Sequence, residues 1–171
     1  MAVWAQKKGV EKKDKFVYDL YLTRFDLIKD GKPRSFQLTN GDDSDYSPLF
    51  SKDNESIYFL SSREKGNKLW SISVFGGETK EVKEFKNGIS DINWMSDSKL
   101  SFISNDGKSL YEQELEKTKD NTIVVEDSLH WTIAKVYSYD LETERINALT
   151  NNQFPIQEYA ISSDSKFLIS A

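Results

Sequence analysis

Cysteine is absent from this chain of 171 residues, so neither a disulfide framework nor a thiolate metal site can form. The sequence has one histidine, His130, which is too few for the usual multi-ligand metal centre. No run of about 18 apolar residues occurs, and Met1-Ala2-Val3-Trp4-Ala5 lacks the pattern of a charged then apolar leader. The expectation is a cytoplasmic protein with no membrane partner. An excess of basic residues is missing too: 23 Lys and Arg against 28 Asp and Glu give a net charge of -5. That balance argues against sequence-independent binding of nucleic acid, which needs cations to displace counterions. Proline occurs only at 33, 48 and 155, and extended strand segments fill much of the space between turns.

What the chain does have is a phrase repeated three times: an aromatic or Ile, two polar or small positions, Asp, a short turn, then an apolar strand. It reads Phe50-Ser51-Lys52-Asp53, then Trp94-Met95-Ser96-Asp97, then Ile161-Ser162-Ser163-Asp164, each followed by a strand. Asp53 and Asp97 are 44 residues apart, and Asp97 and Asp164 are 67 apart. A period near 44 matches one four-stranded blade of a β-propeller, for which known repeats run roughly 40 to 50 residues. The surplus of 23 in the second interval reads as an insertion.

A strand period of two organises the rest. One full unit has strands at Ser56–Ser62, Lys68–Val74 and Thr79–Phe85, preceded by an innermost strand near Tyr46. Asp30-Gly31, Asn40-Gly41, Gly76-Gly77, Asn87-Gly88 and Asp106-Gly107 can supply the positive φ of tight turns. Pro48 and Pro155 are expected at or just before the start of an innermost strand. The predicted fold is all-β, a partial propeller of about three to four blades, incomplete at both ends. Its parts are an incomplete first blade over 1–45, a second over 46–88, a third over 89–154 with an insertion at about 105–134, and the start of a fourth over 155–171. Ala2–Lys8 and Lys166–Ala171 both read as second strands of their blades. The chain is therefore expected to be part of a longer one, with open strand edges that favour self-association.

Several segments resemble a known family. Asp19-Leu20-Tyr21-Leu22, Gly31-Lys32-Pro33-Arg34, Leu38-Thr39-Asn40-Gly41-Asp42, Ser47-Pro48-Leu49-Phe50-Ser51 and Phe59-Leu60-Ser61-Ser62-Arg63 follow one another in the first half. In the interrupted unit, Val124-Val125-Glu126-Asp127, Val136-Tyr137-Ser138-Tyr139-Asp140-Leu141 and Leu149-Thr150-Asn151 follow in turn. Order and spacing are similar to the opening blades of the acylaminoacyl peptidase and dipeptidyl peptidase branch of the prolyl oligopeptidase family. The short repeat by itself is shared with TolB-like propellers. The usual Ser-Pro-Asp-Gly-Lys turn appears here as Ser51-Lys52-Asp53-Asn54, Met95-Ser96-Asp97-Ser98 and Ser162-Ser163-Asp164-Ser165. Asn54 tolerates left-handed backbone, whereas the serine versions imply a different turn or some strain.

The resemblance implies a propeller that gates peptide access to an α/β-hydrolase domain carrying a Ser, Asp and His triad. Its implied partners are a peptide substrate and that hydrolase domain. No catalytic residue is expected in this chain: it has no Gly-x-Ser-x-Gly elbow, and the nearest string, Gly88-Ile89-Ser90-Asp91-Ile92, lacks the second Gly. The alternative reading is a TolB-like protein-binding propeller that scaffolds an assembly without chemistry. A third is a propeller enzyme whose active site lies in the ring itself, which needs convergent carboxylates at the channel mouth.

The remaining constellations read as structural. His130 beside Trp131 suits burial or surface better than a ligand role, and no cofactor-binding or metal-binding residue is assigned. Asp42, Asp43 and Asp45 lack the ordered spacing of a Ca²⁺ loop and read as a solvated turn. Residues 112–120, Glu-Gln-Glu-Leu-Glu-Lys-Thr-Lys-Asp, read as an excursion in the insertion, with contact to a partner as the functional alternative. Lys7, Lys8, Lys12, Lys13 and Lys15 are diluted by Glu11 and Asp14 into a charged hairpin. Trp70, Trp94, Tyr58, Phe59, Phe102 and Phe167 are expected in packing between blades. Arg63 has two readings, reaching toward the channel or pairing weakly with an acidic turn, and the structural one is preferred.

Overall fold

The computed structural model describes residues 1–10, 14–63, 68–107 and 132–171, and all regular structure among them is β. The chain forms two compact units, Met1–Ser90 and Asp91–Ala171.

In the first unit, β1 (Ala2–Val10), β2 (Lys15–Lys29) and β3 (Lys32–Gln37) make an antiparallel sheet in that order. The β2–β3 hairpin turns on Asp30 and Gly31, both at positive φ, as a tight hairpin demands. A second antiparallel sheet follows, of β4 (Asp45–Phe50), β5 (Ser56–Ser61), β6 (Lys68–Ser73) and β7 (Lys80–Glu84), in sequence order. Both sheets contribute to one core. Leu20 and Leu22 from β2 join Ile57, Phe59, Trp70, Ile72 and Val74, with Val3, Ala5, Leu38 and Phe50 packed against them. Each Leu, Ile or Phe buried this completely contributes roughly 1.5–3 kcal/mol, so the two sheets hold one another.

The second unit repeats the scheme. Its four-stranded sheet has the order β11 (Ile146–Ala148), β10 (Ala134–Asp140), β9 (Lys99–Asn105) and β8 (Ser90–Trp94), where β8 spans the point at which the units divide. β12 (Tyr159–Ile161) and β13 (Leu168–Ser170) form a two-stranded sheet. The shared core is Ile103, Val136, Ile156 and Tyr159, flanked by Ala134, Ile161 and Leu168. Tyr159 Oη links the two sheets: it donates to the Asp91 carbonyl at 2.8 Å and lies 2.8 Å from Ser101 Oγ. The insertion expected at about 105–134 lies mostly outside the described residues; at its ends, between β9 and β10, the Asp106 N–H donates to the Ile133 carbonyl at 3.0 Å.

The Asp phrase folds twice into the same turn. The Ser51 N–H donates to the Ser56 carbonyl, Ser51 Oγ to Asp53 Oδ1, and the Glu55 N–H to that same oxygen. The Ser162 N–H, Ser162 Oγ and Lys166 N–H make the same bonds to the Phe167 carbonyl and Asp164 Oδ1. Asn54 and Ser165 take φ of 59° and 57°, so Ser165 carries the strain that a serine in left-handed backbone implies. The copy at Asp97 closes differently, through the Met95 and Ser96 N–H groups to the Lys99 carbonyl, without a positive φ.

Two expectations change on contact with the structure. Pro48 lies inside β4, not at its start, where the register shifts between Tyr46 and Leu49, and the bulge removes the need for its missing donor. Phe167 is 71% exposed, because the turn at Asp164 ends before β13 begins and leaves that ring outside the core.

Candidate functional site

The strand registers expose a column of residues that the Asp phrase does not reveal. A cross-strand aromatic pair recurs at Trp4 and Tyr21, at Phe59 and Trp70, and at Phe102 and Tyr137. The first and third pairs stack with ring centroids 5.8 Å apart. Four residues after each first-strand aromatic stands a charge: Lys8, Arg63 and Asp106. The second strand is charged as well, two residues before its aromatic, at Asp19, Lys68 and Lys135, which stand opposite Gln6, Ser61 and Ser104.

These positions pair in the first and third units of the repeat with the signs exchanged. Lys8 Nζ lies 2.5 Å from Asp19 Oδ2, and Lys135 pairs with Asp106. Asp106 also accepts from Tyr137 Oη at 2.9 Å. Lys135 first and Tyr137 second hold the Asp106 carboxyl below its ordinary range, while burial and then that same bond push Tyr137 up to about 12. In the middle unit both positions are cationic, so each finds another carboxylate. Lys68 Nζ turns to Glu81 at 3.0 Å. Arg63 Nη2 turns to Asp45 Oδ2 at 2.5 Å and Arg63 Nη1 to Thr79 Oγ1 at 2.6 Å.

Arg63 is the most constrained of these groups. Its guanidinium carbon sits 5.3 Å from the Trp70 ring centroid and 5.9 Å from that of Phe59, within cation–π range of both. Asp45 is fully buried, and among the described residues its Oδ1 has no hydrogen-bond partner. Trp70 Nε1 is likewise buried without a partner among the described residues. Asp45 therefore corrects the solvated-turn reading of the Asp42, Asp43, Asp45 run: strand β4 begins at Asp45 and carries it under Arg63. Arg63 itself is no loosely paired surface group, since its side chain is only 23% exposed.

Arg63 forms part of a cleft of about 540 Å³ in the first unit. Leu38, Asn40, Gly41 and Asp43 contribute from the connection after β3, and Gly77, Glu78 and Thr79 from the turn before β7. Lys8 Nζ donates to Asn40 Oδ1 at 2.7 Å beside it. With Lys8 and Arg63 already matched by Asp19 and Asp45, Asp43 and Glu78 give the lining an acidic balance. Such a lining suits hydrogen-bond donors and cationic groups. The sequence carried a signal for this column, aromatic-x-polar-x-charge, in Trp4 to Lys8, Phe59 to Arg63 and Phe102 to Asp106.

Other sequence-flagged groups are placed as follows. Ser90 opens β8 as an exposed strand residue, with no strand-to-helix turn of the kind a nucleophile elbow requires. Lys7 lies 4.2 Å from the Phe16 ring centroid. Among the described residues no group of three or more His, Asp or Glu could hold a metal ion. His130, Trp131, residues 112–120, Glu11, Lys12 and Lys13 lie outside the described residues.

No family model and no curated protein matches the sequence. Solved structures do match its fold. The chain is similar to an acylaminoacyl peptidase from Pyrococcus horikoshii at 15% identity and a TM-score of 0.60, covering 98% of this chain and 25% of that one. It is similar to the tricorn protease at 14% identity and a TM-score of 0.63, covering 98% and 18%. It is similar to TolB from Acinetobacter baumannii at 14% identity and a TM-score of 0.56, covering 97% and 35%. The chain thus spans about a third or less of the length of each of these three structures. At such identities the likeness carries the fold alone, and the fold is that of a β-propeller, built from antiparallel four-stranded blades of the form found in these peptidases and in TolB.

Proposed function

We propose that this chain is a noncatalytic part of the propeller domain of a serine peptidase similar to the acylaminoacyl and dipeptidyl peptidases. In that role the blades limit entry of short peptides to an α/β-hydrolase domain encoded elsewhere in the same polypeptide. The observation that carries the reading is the run of family-like segments from Asp19 to Arg63, lying on β2 to β5 in blades that superpose on an acylaminoacyl peptidase over 98% of this chain. An acidic cleft beside Arg63 agrees with traffic of peptides, which carry a cationic amino terminus. The second reading is a TolB-like scaffold that binds protein and does no chemistry. The equally extensive overlap with TolB, 97% of this chain, supports it.

Reading the coding frame on either side of this sequence, with the intact mass of the native polypeptide, separates the two. The peptidase reading requires an adjoining segment of about 250 residues or more with a Gly-x-Ser-x-Gly elbow, the size of an α/β-hydrolase domain. It also requires the native protein to react with a fluorophosphonate probe at that serine. A native chain made of blades alone, inert to the probe, removes the peptidase reading and leaves the scaffold.

A further inference from the structure

The guanidinium of Arg63 sits in a cage whose bonding it leaves unfinished. Its carbon lies 5.3 Å from the Trp70 ring centroid and 5.9 Å from that of Phe59, and Nη2 lies 2.5 Å from Asp45 Oδ2. Aromatic faces and a carboxylate are what a planar cation binds best. An arginine and a carboxylate at their strongest share two parallel N–H···O bonds, yet here Nη1 turns away to Thr79 Oγ1 at 2.6 Å. Asp45 Oδ1 is left without a partner among the described residues. Asp45 is fully buried, so bulk water does not make up the loss. A guanidinium tethered to the backbone just after β5 takes one oxygen of Asp45; an untethered one is free to take both.

We propose that Asp45, Trp70 and Phe59 form a binding site for the guanidinium of an arginine side chain in a peptide, with Arg63 as a resident occupant that swings out when that side chain enters. The way in is the cleft that Arg63 lines. Asp43 and Glu78 line the same cleft, neither is ion-paired among the described residues, and Glu78 adjoins the Thr79 that already accepts from Arg63. The displaced group therefore has a place to go. Rotation of Arg63 onto these carboxylates keeps charge matched throughout: one guanidinium leaves Asp45 as another arrives, and the acidic excess of the cleft falls. A lysine ammonium is a point charge that neither spans both carboxylate oxygens nor stacks on a ring, so arginine is preferred. Every group involved lies between Leu38 and Thr79 in the first unit, away from both ends of the chain. Competition from Arg63 lowers the apparent affinity by the fraction of molecules in which the cage is open.

Two-dimensional NMR of the whole chain, following the Trp70 indole N–H and the Arg63 side-chain N–H, tests this with three probes. They are N-acetyl-arginine amide, a short acetylated peptide with one arginine, and N-acetyl-citrulline amide, which keeps the shape without the charge. Acetylation removes the amino terminus, so binding cannot be credited to an ammonium there. Both arginine compounds should shift both resonances saturably at roughly millimolar concentration, as expected against a tethered competitor, and citrulline should shift neither. Asp43→Asn combined with Glu78→Gln removes the resting place of the displaced Arg63 and should weaken binding several-fold. Arg63→Ala empties the cage and should tighten binding by about tenfold or more. Where that variant is unfolded, refolding by the arginine compounds and not by citrulline is the equivalent result. The absence of a saturable shift in the parent, equal shifts with citrulline, or a double variant that binds like the parent overturns the proposal. So does an Arg63→Ala protein that is neither bound more tightly nor refolded. None of these results depends on whether a hydrolase domain exists, so the peptidase reading stands or falls separately.

Discussion

Removing Arg63 should be among the most damaging single changes in the first unit. Asp45 is fully buried, its Oδ1 has no partner among the described residues, and its Oδ2 is held by the guanidinium at 2.5 Å. Arg63→Met keeps an apolar stem over Phe59 and Trp70 but strands the carboxylate. Breaking a buried pair from one side costs about 3–5 kcal/mol, and the partial exposure of Arg63 lets some water in, which places the expected loss near the lower end, about 3 kcal/mol. Asp45→Asn should cost less, about 1 kcal/mol, because the freed guanidinium can turn toward solvent while a neutral amide is easier to bury. The double variant should recover about 1–2 kcal/mol relative to the sum of the two, as directly contacting residues do in such cycles. Urea unfolding followed by tryptophan fluorescence reads these changes, and a loss of about 3 kcal/mol corresponds to a fall in Tm of roughly 6–12 °C at this chain length. A cost below about 1 kcal/mol for Arg63→Met, or a greater cost for Asp45→Asn than for Arg63→Met, would refute the reasoning.

Three further outcomes follow from the same contacts. Asp53 and Asp164 are held below the ordinary carboxylate range, chiefly by the Ser51 and Ser162 hydroxyls. Their folded values lie below their unfolded ones, so their contribution is present above about pH 4 and is lost as pH falls through the depressed values. Asp53→Ala should therefore flatten the acid limb of a stability-against-pH curve, and an unchanged limb contradicts this. Tyr137, raised to about 12, should titrate well above a free tyrosine in ultraviolet absorbance, and Tyr137→Phe should delete that late contribution. Its stabilisation is complete below its unfolded value near 10 and fades as pH rises through the folded one. Tyr159→Phe deletes the bonds to the Asp91 carbonyl and Ser101 Oγ and should cost about 1–3 kcal/mol in denaturant unfolding; a neutral result means those groups are satisfied without it.

Much of the fold was readable in advance because strands and turns leave local marks. The expected strands Ser56–Ser62, Lys68–Val74 and Thr79–Phe85 became β5, β6 and β7 within one or two residues, since Gly76-Gly77 and the Asp53 turn punctuate them. The Asp45–Arg63 pair was not readable, because its partners are 18 residues apart and meet only when β4 and β5 align. Asp45 looks like its neighbours Asp42 and Asp43 until strand β4 begins at that residue and turns it inward. Phe167 resembles Phe59 and Phe102 in sequence, yet those two are buried and Phe167 is left exposed. The aromatic-x-polar-x-charge column was visible in principle, but its charges change sign from unit to unit, which hides it from any search for a fixed residue type.

The sign changes in that column have a consequence for how such arrays grow. Lys8 is matched by Asp19 on the same sheet, Arg63 by Asp45 and Lys68 by Glu81 on theirs, and Asp106 by Lys135 on a third. Each of these three sheets supplies a counterion for its own charge at this position. A blade can therefore be duplicated, lost or exchanged for another without leaving its neighbour with a buried charge and no counterion, so gene-level changes in repeat number meet no electrostatic barrier here.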